Sequence, residues 1–265
     1  MKYQGADISR SADIKPSELF HENSKHHRSD RASVERIVAV LSNPVLLGMM
    51  AASQKRYPSA PKISLSAELP PAAITFDEAV WTRRSCRKFT GEPLRFSEVS
   101  KLLRFACGVS VMLDLPGGHR QPLRVAPSGG GLYPVEAYLV ALKVDELSAG
   151  LYHYNPVENH LEVLRAQDFT GELLSITFAR ELKEAAALIV LTGIPVKTKL
   201  KYGERGYRFL LLEAGHIAQN ILLTANSLRL GALPIGGFVD DRLDELLGLD
   251  GLDEVSLYLV AVGRQ

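Results

Sequence analysis

From Arg208 onward, apolar residues recur every three or four positions: Leu211, Ala214, Ala218, Ile221, Leu222, Ala225 and Leu228. That period, with its wide apolar face, predicts a long helix ended near Gly231. Shorter helices are marked by their caps. Thr75 and Glu78 have capping-box spacing, so a helix starts there and carries Val80 and Trp81 inward. Ser97 caps a second helix through Leu102, Leu103 and Phe105, with Gly108 as its stop. Asp240 or Asp241 caps a third through Leu247, with Gly248 after it. Strands are predicted where apolar runs are short. VEAYLVALKV from Val135 reads as a buried strand, and Leu188 to Thr192 as another. LYHYNP and LEVLR form a hairpin with its turn at Asn155 to Asn159. SLYLVAV closes the chain as a continuous apolar strand, buried on both faces. Strands and helices mix without a strict βαβ rhythm, so the fold class is α+β.

The first 74 residues read differently. FHENSKHHRSDR, from Phe20 to Arg31, is charged and rich in histidine, and a helix is expected near Ala32 to Leu41. Tyr57 to Ala73 carries Pro58, Pro61, Pro70 and Pro71. Proline fixes φ and removes a donor, so this stretch is expected to wrap over a surface rather than build a sheet. Residues 1–74 are therefore read as an N-terminal extension and 75–265 as the main domain. The 265 residues, 46% of them hydrophobic, suffice for one large buried core. A net charge of +1 gives no electrostatic reason to expect nucleic acid or a membrane surface as partner. Two cysteines, Cys86 and Cys107, exclude a disulfide framework and fit a reducing compartment. No apolar stretch resembles a signal peptide, and none approaches the roughly 20 residues needed to span a bilayer. A soluble cytoplasmic protein is the expectation.

Chemistry is concentrated in a few segments. RRSCRKF, from Arg83 to Phe89, groups arginines and a serine at the end of a short helix. Planar guanidinium forks suit phosphate or the polar edge of a heterocycle, although a solvated basic helix end gives the same pattern. PSGGGLYP, from Pro127 to Pro134, lets backbone approach a ligand closely; a turn into the next strand would also need glycines. Its spacing fits neither the dinucleotide fingerprint nor the phosphate loop, which disfavours both of those classes. PIGGF, from Pro234, is a second glycine pair, and Gly263-Arg264 places one cation after the last strand. KTKLKYGERGYR, from Lys197, sets Lys201 and Tyr202 side by side in an expected loop. A lysine becomes a general base only when its surroundings lower its pKa from roughly 10.4, and three alternate lysines could equally be one solvated face. His21, His26 and His27 lack the spacings of known zinc sites, so no metal is expected. Neither cysteine has a CxxC partner, and both read as packing residues.

In order along the chain, RRSCRKF, PSGGGLYPVE, LYHYNP, KYGERGYR with EAGH and QN after it, and PIGGF resemble the SagB-type dehydrogenases. The resemblance runs from about Arg83 to the C-terminus, and FHENSKHHR resembles a segment those proteins carry ahead of the fold. It implies a nitroreductase-like fold: a central mixed or antiparallel sheet flanked by helices, with the long helix, which carries Gln219 and Asn220, also building a homodimer interface. It implies FMN bound between subunits. Arg83, Arg84, Ser85 and Arg87 would contact its phosphate, ribityl chain or pyrimidine edge. Pro127, Ser128, Gly129 and Gly130 would line the isoalloxazine, Ile235, Gly236 and Gly237 would approach from the other side, and Arg264 would reach the phosphate. Lys201 and Tyr202 match a catalytic lysine–tyrosine pair. The implied reaction aromatises an azoline in a peptide or carrier-bound precursor: a base removes one proton, and a hydride passes to flavin N5. Oxygen could then reoxidise the flavin. A cyclodehydratase or other biosynthetic enzyme is an expected partner. Two other readings stay open: an NAD(P)H-dependent nitro or enone reductase, and a non-catalytic flavin-fold scaffold.

Overall fold

The computed structural model describes residues 15–26, 31–43, 54–115 and 118–265, with Val45, Leu46, Gly48 and Met50. The histidine expected at His27 lies outside the described residues. Among the described residues, seven strands form one sheet: β1 (Lys62–Ser64), β4 (Val135–Ala141), β5 (Gly150–Asn155), β6 (His160–Arg165), β7 (Ala187–Gly193), β8 (Gly231–Ile235) and β9 (Val255–Gly263). Their order is β1-β6-β5-β4-β7-β9-β8, and every ladder is antiparallel. β2 (Val109–Asp114) and β3 (Arg120–Arg124) form a separate hairpin.

Two apolar faces explain why β4 and β7 sit at the centre. All seven residues of each are buried. Val135, Ala137 and Leu139 of β4, with Ala187, Ile189 and Leu191 of β7, point to one side. There they meet α4 (Phe96–Cys107) and α7 (Arg205–Ser227). Tyr138, Val140, Leu188 and Val190 point to the other side, against α5 (Thr170–Ile176) and α8 (Asp240–Leu247). Alternation of side chains across a pleated strand makes this a three-layer arrangement, helices on both faces of one sheet. α1 (Pro16–Asn23), α2 (Arg31–Leu41), α3 (Phe76–Thr82) and α6 (Pro195–Tyr202) complete the described helices. The predicted strands, the hairpin and the long helix are all present, and the α+β class holds.

Several expectations are corrected. Proline-rich residues 57–73 do build sheet: Lys62–Ser64 pairs with β6 as the outermost strand, where only one side of the ladder must donate and accept. α4 is capped at Arg95, whose backbone N–H donates to Glu98, rather than at Ser97. Val80 and Trp81 point outward, 47% and 83% exposed, because α3 is short and buries only Ala79. On α7 the buried stripe runs through Leu210, while Leu211 is 46% exposed. Three consecutive leucines leave the helical phase undetermined by pattern alone. The segment from Lys197 is helix α6, not loop, begun by Pro195 at its first turn. The β2–β3 hairpin, β8 and α5 were not anticipated.

Leu210 is fully buried on the face of α7 that packs on the sheet. Leu210→Ala is expected to lose about 2–5 kcal/mol of stability. Leu252→Ala, at a side chain 82% exposed, stays within about 0.5 kcal/mol of the parent. Urea denaturation of both variants checks the contrast.

Candidate active site

The site forms where α6 and α7 meet under the glycine turn. α7 follows α6 after two residues, and Gly206 permits close packing: a Cβ there would lie 2.6 Å from the Thr198 carbonyl carbon. α6 is tied to the sheet at its first turn by Lys197, whose Nζ donates to Glu136 on β4 at 2.7 Å. One helical turn later, on the same face, comes Lys201, only 8% exposed. The second lysine of the alternate trio, Lys199, pairs with Glu204 instead. Helical spacing thus turns Lys199 away from Lys197 and Lys201, where an extended strand would have aligned all three. Lys201 is the member of the trio with no carboxylate partner among the described residues. Its ammonium lies 5.3 Å from the Tyr202 ring centroid.

The turn from Gly129 to Gly131 supplies the opposing surface. Gly130 has φ 70°, a left-handed conformation that favours glycine. A Cβ on Gly130 would collide with Tyr202 Oη and come within 3.0 Å of Lys201 Nζ. The two side chains therefore converge on one patch of bare backbone. Phe209 completes the wall: it packs edge-on against Tyr202 with centroids 4.9 Å apart, and lies 3.1 Å from where a Gly129 Cβ would be.

Beneath the turn lies a buried carboxyl not anticipated from the sequence. Glu213 of α7 is 2% exposed and accepts from Val135 N at 3.4 Å. The Ser128 hydroxyl lies beside it and favours its anion, and accepts from Tyr133 N at 2.9 Å. Burial pushes the Glu213 carboxyl up to about 7, against the Ser128 hydroxyl and the Arg124 charge. Among the described residues, its Oε2 has no hydrogen-bond partner, nor does the buried Nε of Arg124. A carboxylate one turn from Leu210 on an apolar helix face was the available sequence signal. Farther into the sheet, His153 stands between Glu162 at 2.8 Å and Glu136 at 3.5 Å. Burial opposes charge on the His153 ring, but the bonds to these two carboxylates raise its pKa overall. Burial also works against Glu162, yet the His153 bond holds it down at about 2.

The remaining expected residues lie elsewhere on the chain. Arg83 to Arg87 follow α3 as extended backbone, fixed where Cys86 N donates to Ala232 O at 2.9 Å. Arg83, Arg84 and Arg87 have no ion pair among the described residues; Arg84 donates to Trp81 O and Arg83 O. Ser85 and Arg83 are half-buried. Pro127 is exposed beside the glycine turn. Ile235 is buried at the end of β8, with Gly236 and Gly237 exposed after it. Arg264 is committed to Glu98, at 3.0 and 2.8 Å. Burial raises the Glu98 carboxyl, but Arg95 and Arg264 together hold it below its ordinary value. Gln219 is exposed on α7, and Asn220 donates to Ala106 O. Cys107 is buried, which pushes its thiol up to about 12, and Cys86 is half-buried. The structure thus brings Lys201 and Tyr202 to Gly129 and Gly130, and shows no contact between that set and the arginines. Among the described residues, no helix is long and apolar enough to cross a membrane.

Comparison with known proteins accords with this fold. Residues 80–264 match the model of the nitroreductase family, and the chain belongs to that family, whose members are generally flavin oxidoreductases. A Methanocaldococcus jannaschii protein named as a nitroreductase is 33% identical over 194 residues, which is 72% of this chain and 92% of the relative. A nitroreductase-fold structure from Anabaena variabilis superposes with TM-score 0.70 at 27% identity, covering 97% of this chain but about half (49%) of that one. The microcin B17-processing protein McbC of Escherichia coli is 30% identical over 141 residues, 51% of each chain. A chain of the McbBCD complex, solved with truncated pro-MccB17 bound, shares the fold with TM-score 0.59 at 21% identity, covering 96% of this chain and 98% of that one.

The raised pKa of Glu213 has a consequence for stability. An unfolded glutamate ionises near 4.3, whereas the folded one keeps its proton to about 7. Between those values the folded chain binds more protons, so this group's contribution falls as pH rises. Relative to wild type, Glu213→Gln is expected to gain up to about 3 kcal/mol from pH 4.5 to pH 8. Paired urea titrations at pH 5 and pH 8 measure it. A variant that instead loses ground at pH 8 would show Glu213 to be stabilised as the anion.

Proposed function

We propose that this chain is an FMN-dependent dehydrogenase that aromatises azoline rings to thiazoles or oxazoles in a peptide or carrier-bound precursor. The observation that carries this reading is the convergence of Lys201 Nζ and Tyr202 Oη on the backbone of Gly130. A nitro group receiving a hydride needs no dedicated protein base, whereas aromatisation requires a proton to leave the ring carbon. Similarity to McbC, a microcin-processing protein, points the same way.

The residues fit FMN. Among the described residues, Arg83, Arg84 and Arg87 have no carboxylate partner, and their guanidiniums suit a phosphate or a polar ring edge. A Cβ at Gly236 would meet nothing nearer than 3.8 Å, so the chain's own packing leaves that glycine open to a flat ligand. Arg264 fits less directly, because it would have to leave Glu98 to reach a phosphate. Bound flavin would supply a hydride acceptor at N5. The protein's part is positional: Ser128, Gly129 and Gly130 present a flat backbone surface, Lys201 takes the proton, and Tyr202 orients the ammonium and passes the proton outward.

A homodimer with FMN between subunits is part of this reading. Trp81, Phe105, Leu211 and Leu212 are exposed on α3, α4 and α7, which pack against one another, and a second copy would cover them. Residues 1–74 act in this reading as an extension that docks the precursor or a partner such as a cyclodehydratase. The described part already grips the site: Arg208 donates to Ser24 Oγ at 2.7 Å, and Phe20 packs edge-on against Tyr207. A cytoplasmic location accompanies the reading. The relative named as a nitroreductase favours a second one, an NAD(P)H-dependent nitro or enone reductase.

Absorption spectroscopy of the purified chain, with mass spectrometry of the released chromophore, is expected to show oxidised FMN near one per subunit. Lys201→Ala and Tyr202→Phe should keep the flavin and lose roughly 10²- to 10⁴-fold in azoline oxidation. Undiminished azoline turnover in both variants would exclude the proton-transfer role. Turnover confined to nitro or enone substrates would establish the second reading, and a chain that cannot be loaded with FMN would leave the scaffold.

A further inference from the structure

Glu213 belongs to no element of the proposed chemistry, yet it is the one group that touches both ends of the glycine turn. Its carboxyl accepts from Val135 N after the turn, and the Ser128 hydroxyl lies beside it before the turn. Ser128 Oγ in turn accepts from Tyr133 N at 2.9 Å, so the 128–135 segment is tied to this side chain of α7 at Val135 and braced against it at Ser128. That helix also carries Phe209, one turn earlier, against Gly129. α6, which presents Lys201 and Tyr202 to Gly130, is packed on the same helix through Gly206. The turn and the lysine–tyrosine pair therefore share α7 as their common base, and Glu213 is the polar link between that base and the turn.

We infer that Glu213 is a positioning residue that clamps the glycine turn and thereby sets the spacing between Gly130 and the Lys201–Tyr202 pair. The clamp is a hydrogen-bonded one in a dry place, where losing a partner leaves polar groups unsatisfied. Its protonation matters because of what surrounds it. Arg124 of β3 faces it and favours the anion; Glu136 of β4 opposes the anion, and Cys107 of α4 is close enough to interact. Glu136 is itself answered by Lys197 and His153, so its charge persists through the neutral range. A neutral Glu213 sits against Ser128 and Val135 without strain. Ionisation strengthens the carboxyl as an acceptor for the Val135 N–H and the Ser128 hydroxyl, both of which favour the anion, so it tightens the clamp.

The inference deepens the flavin reading but is tested independently of it. Amide hydrogen exchange of residues 128–135 is measured in the full-length chain without added flavin, at pH 6 and pH 8, corrected for intrinsic rates. FMN dissociation constants are taken under the same conditions. Ser128→Ala and Glu213→Ala are expected to speed exchange in this segment roughly five- to tenfold, the loss of about one buried hydrogen bond, with β7 unaffected. Glu213→Gln, whose amide oxygen can accept from the same donors, keeps the wild-type protection seen at pH 6 but lacks the tightening that the wild type gains at pH 8. FMN binding follows the same order, weakened by Ala and rescued by Gln. Unchanged exchange in 128–135 for Ser128→Ala and Glu213→Ala overturns the clamp, as does a Glu213→Gln profile that follows the wild-type pH dependence. Should Glu213→Ala not fold, Ser128→Ala and Glu213→Gln carry the decision. Failure of every version to bind FMN sinks the flavin reading, while the exchange result still decides the clamp.

Discussion

The buried ion pair between Lys197 and Glu136 is the constraint on which the site depends. Both side chains are nearly inaccessible, 10% and 1% exposed, and neither charge is tolerable there alone. The pair joins the first turn of α6 to the central strand β4. Because residues four apart share a helix face, fixing Lys197 on the sheet also fixes the direction in which Lys201 points. Glu136 in turn leans on His153, which bridges to Glu162 on β6, so the anchor extends across β4, β5 and β6. Tyr57 of the proline-rich segment donates its backbone N–H to the same Glu162.

Two kinds of support thus meet at Gly130. On one side the charged network in the sheet holds α6. On the other, Glu213 and Ser128 hold the turn to α7. Neither support involves the groups proposed to do chemistry, and among the described residues Lys201 has no carboxylate partner. The N-terminal segment closes the arrangement from outside: Lys55 pairs with Glu254, which also accepts from Tyr138 and Thr192, and Ser24 receives Arg205 and Arg208. Residues that read as an appendage in sequence are structurally continuous with the elements around the site.

Much of this was legible along the chain. Continuous apolar runs bounded by turn residues determined β4, β7 and β9, because a strand buried on both faces can carry little else. The 3.6-residue period determined α7, and proline and glycine marked the ends of several elements. The glycine turn, the lysine–tyrosine pair and the arginine cluster stood out as candidate sites from residue type and order. The phase of α7 was not, since three adjacent leucines satisfy any of three orientations, and only packing on Gly193 and the sheet selects Leu210. The outward direction of Trp81 was hidden for a related reason: a two-turn helix has too few positions for a period to declare its buried side.

Sequence alone therefore determined the class of fold, the central strands, the long helix and the residue types available for catalysis, all properties of local pattern and burial. Tertiary structure decided which of those residues meet. Lys201 lies 71 positions beyond Gly130, and Glu213 lies 85 beyond Ser128. Their contacts arise from the packing of α6 and α7 over the sheet, and from where three buried glutamates found partners. Such pairings depend on long-range geometry and on the cost of burying charge, which no local period encodes.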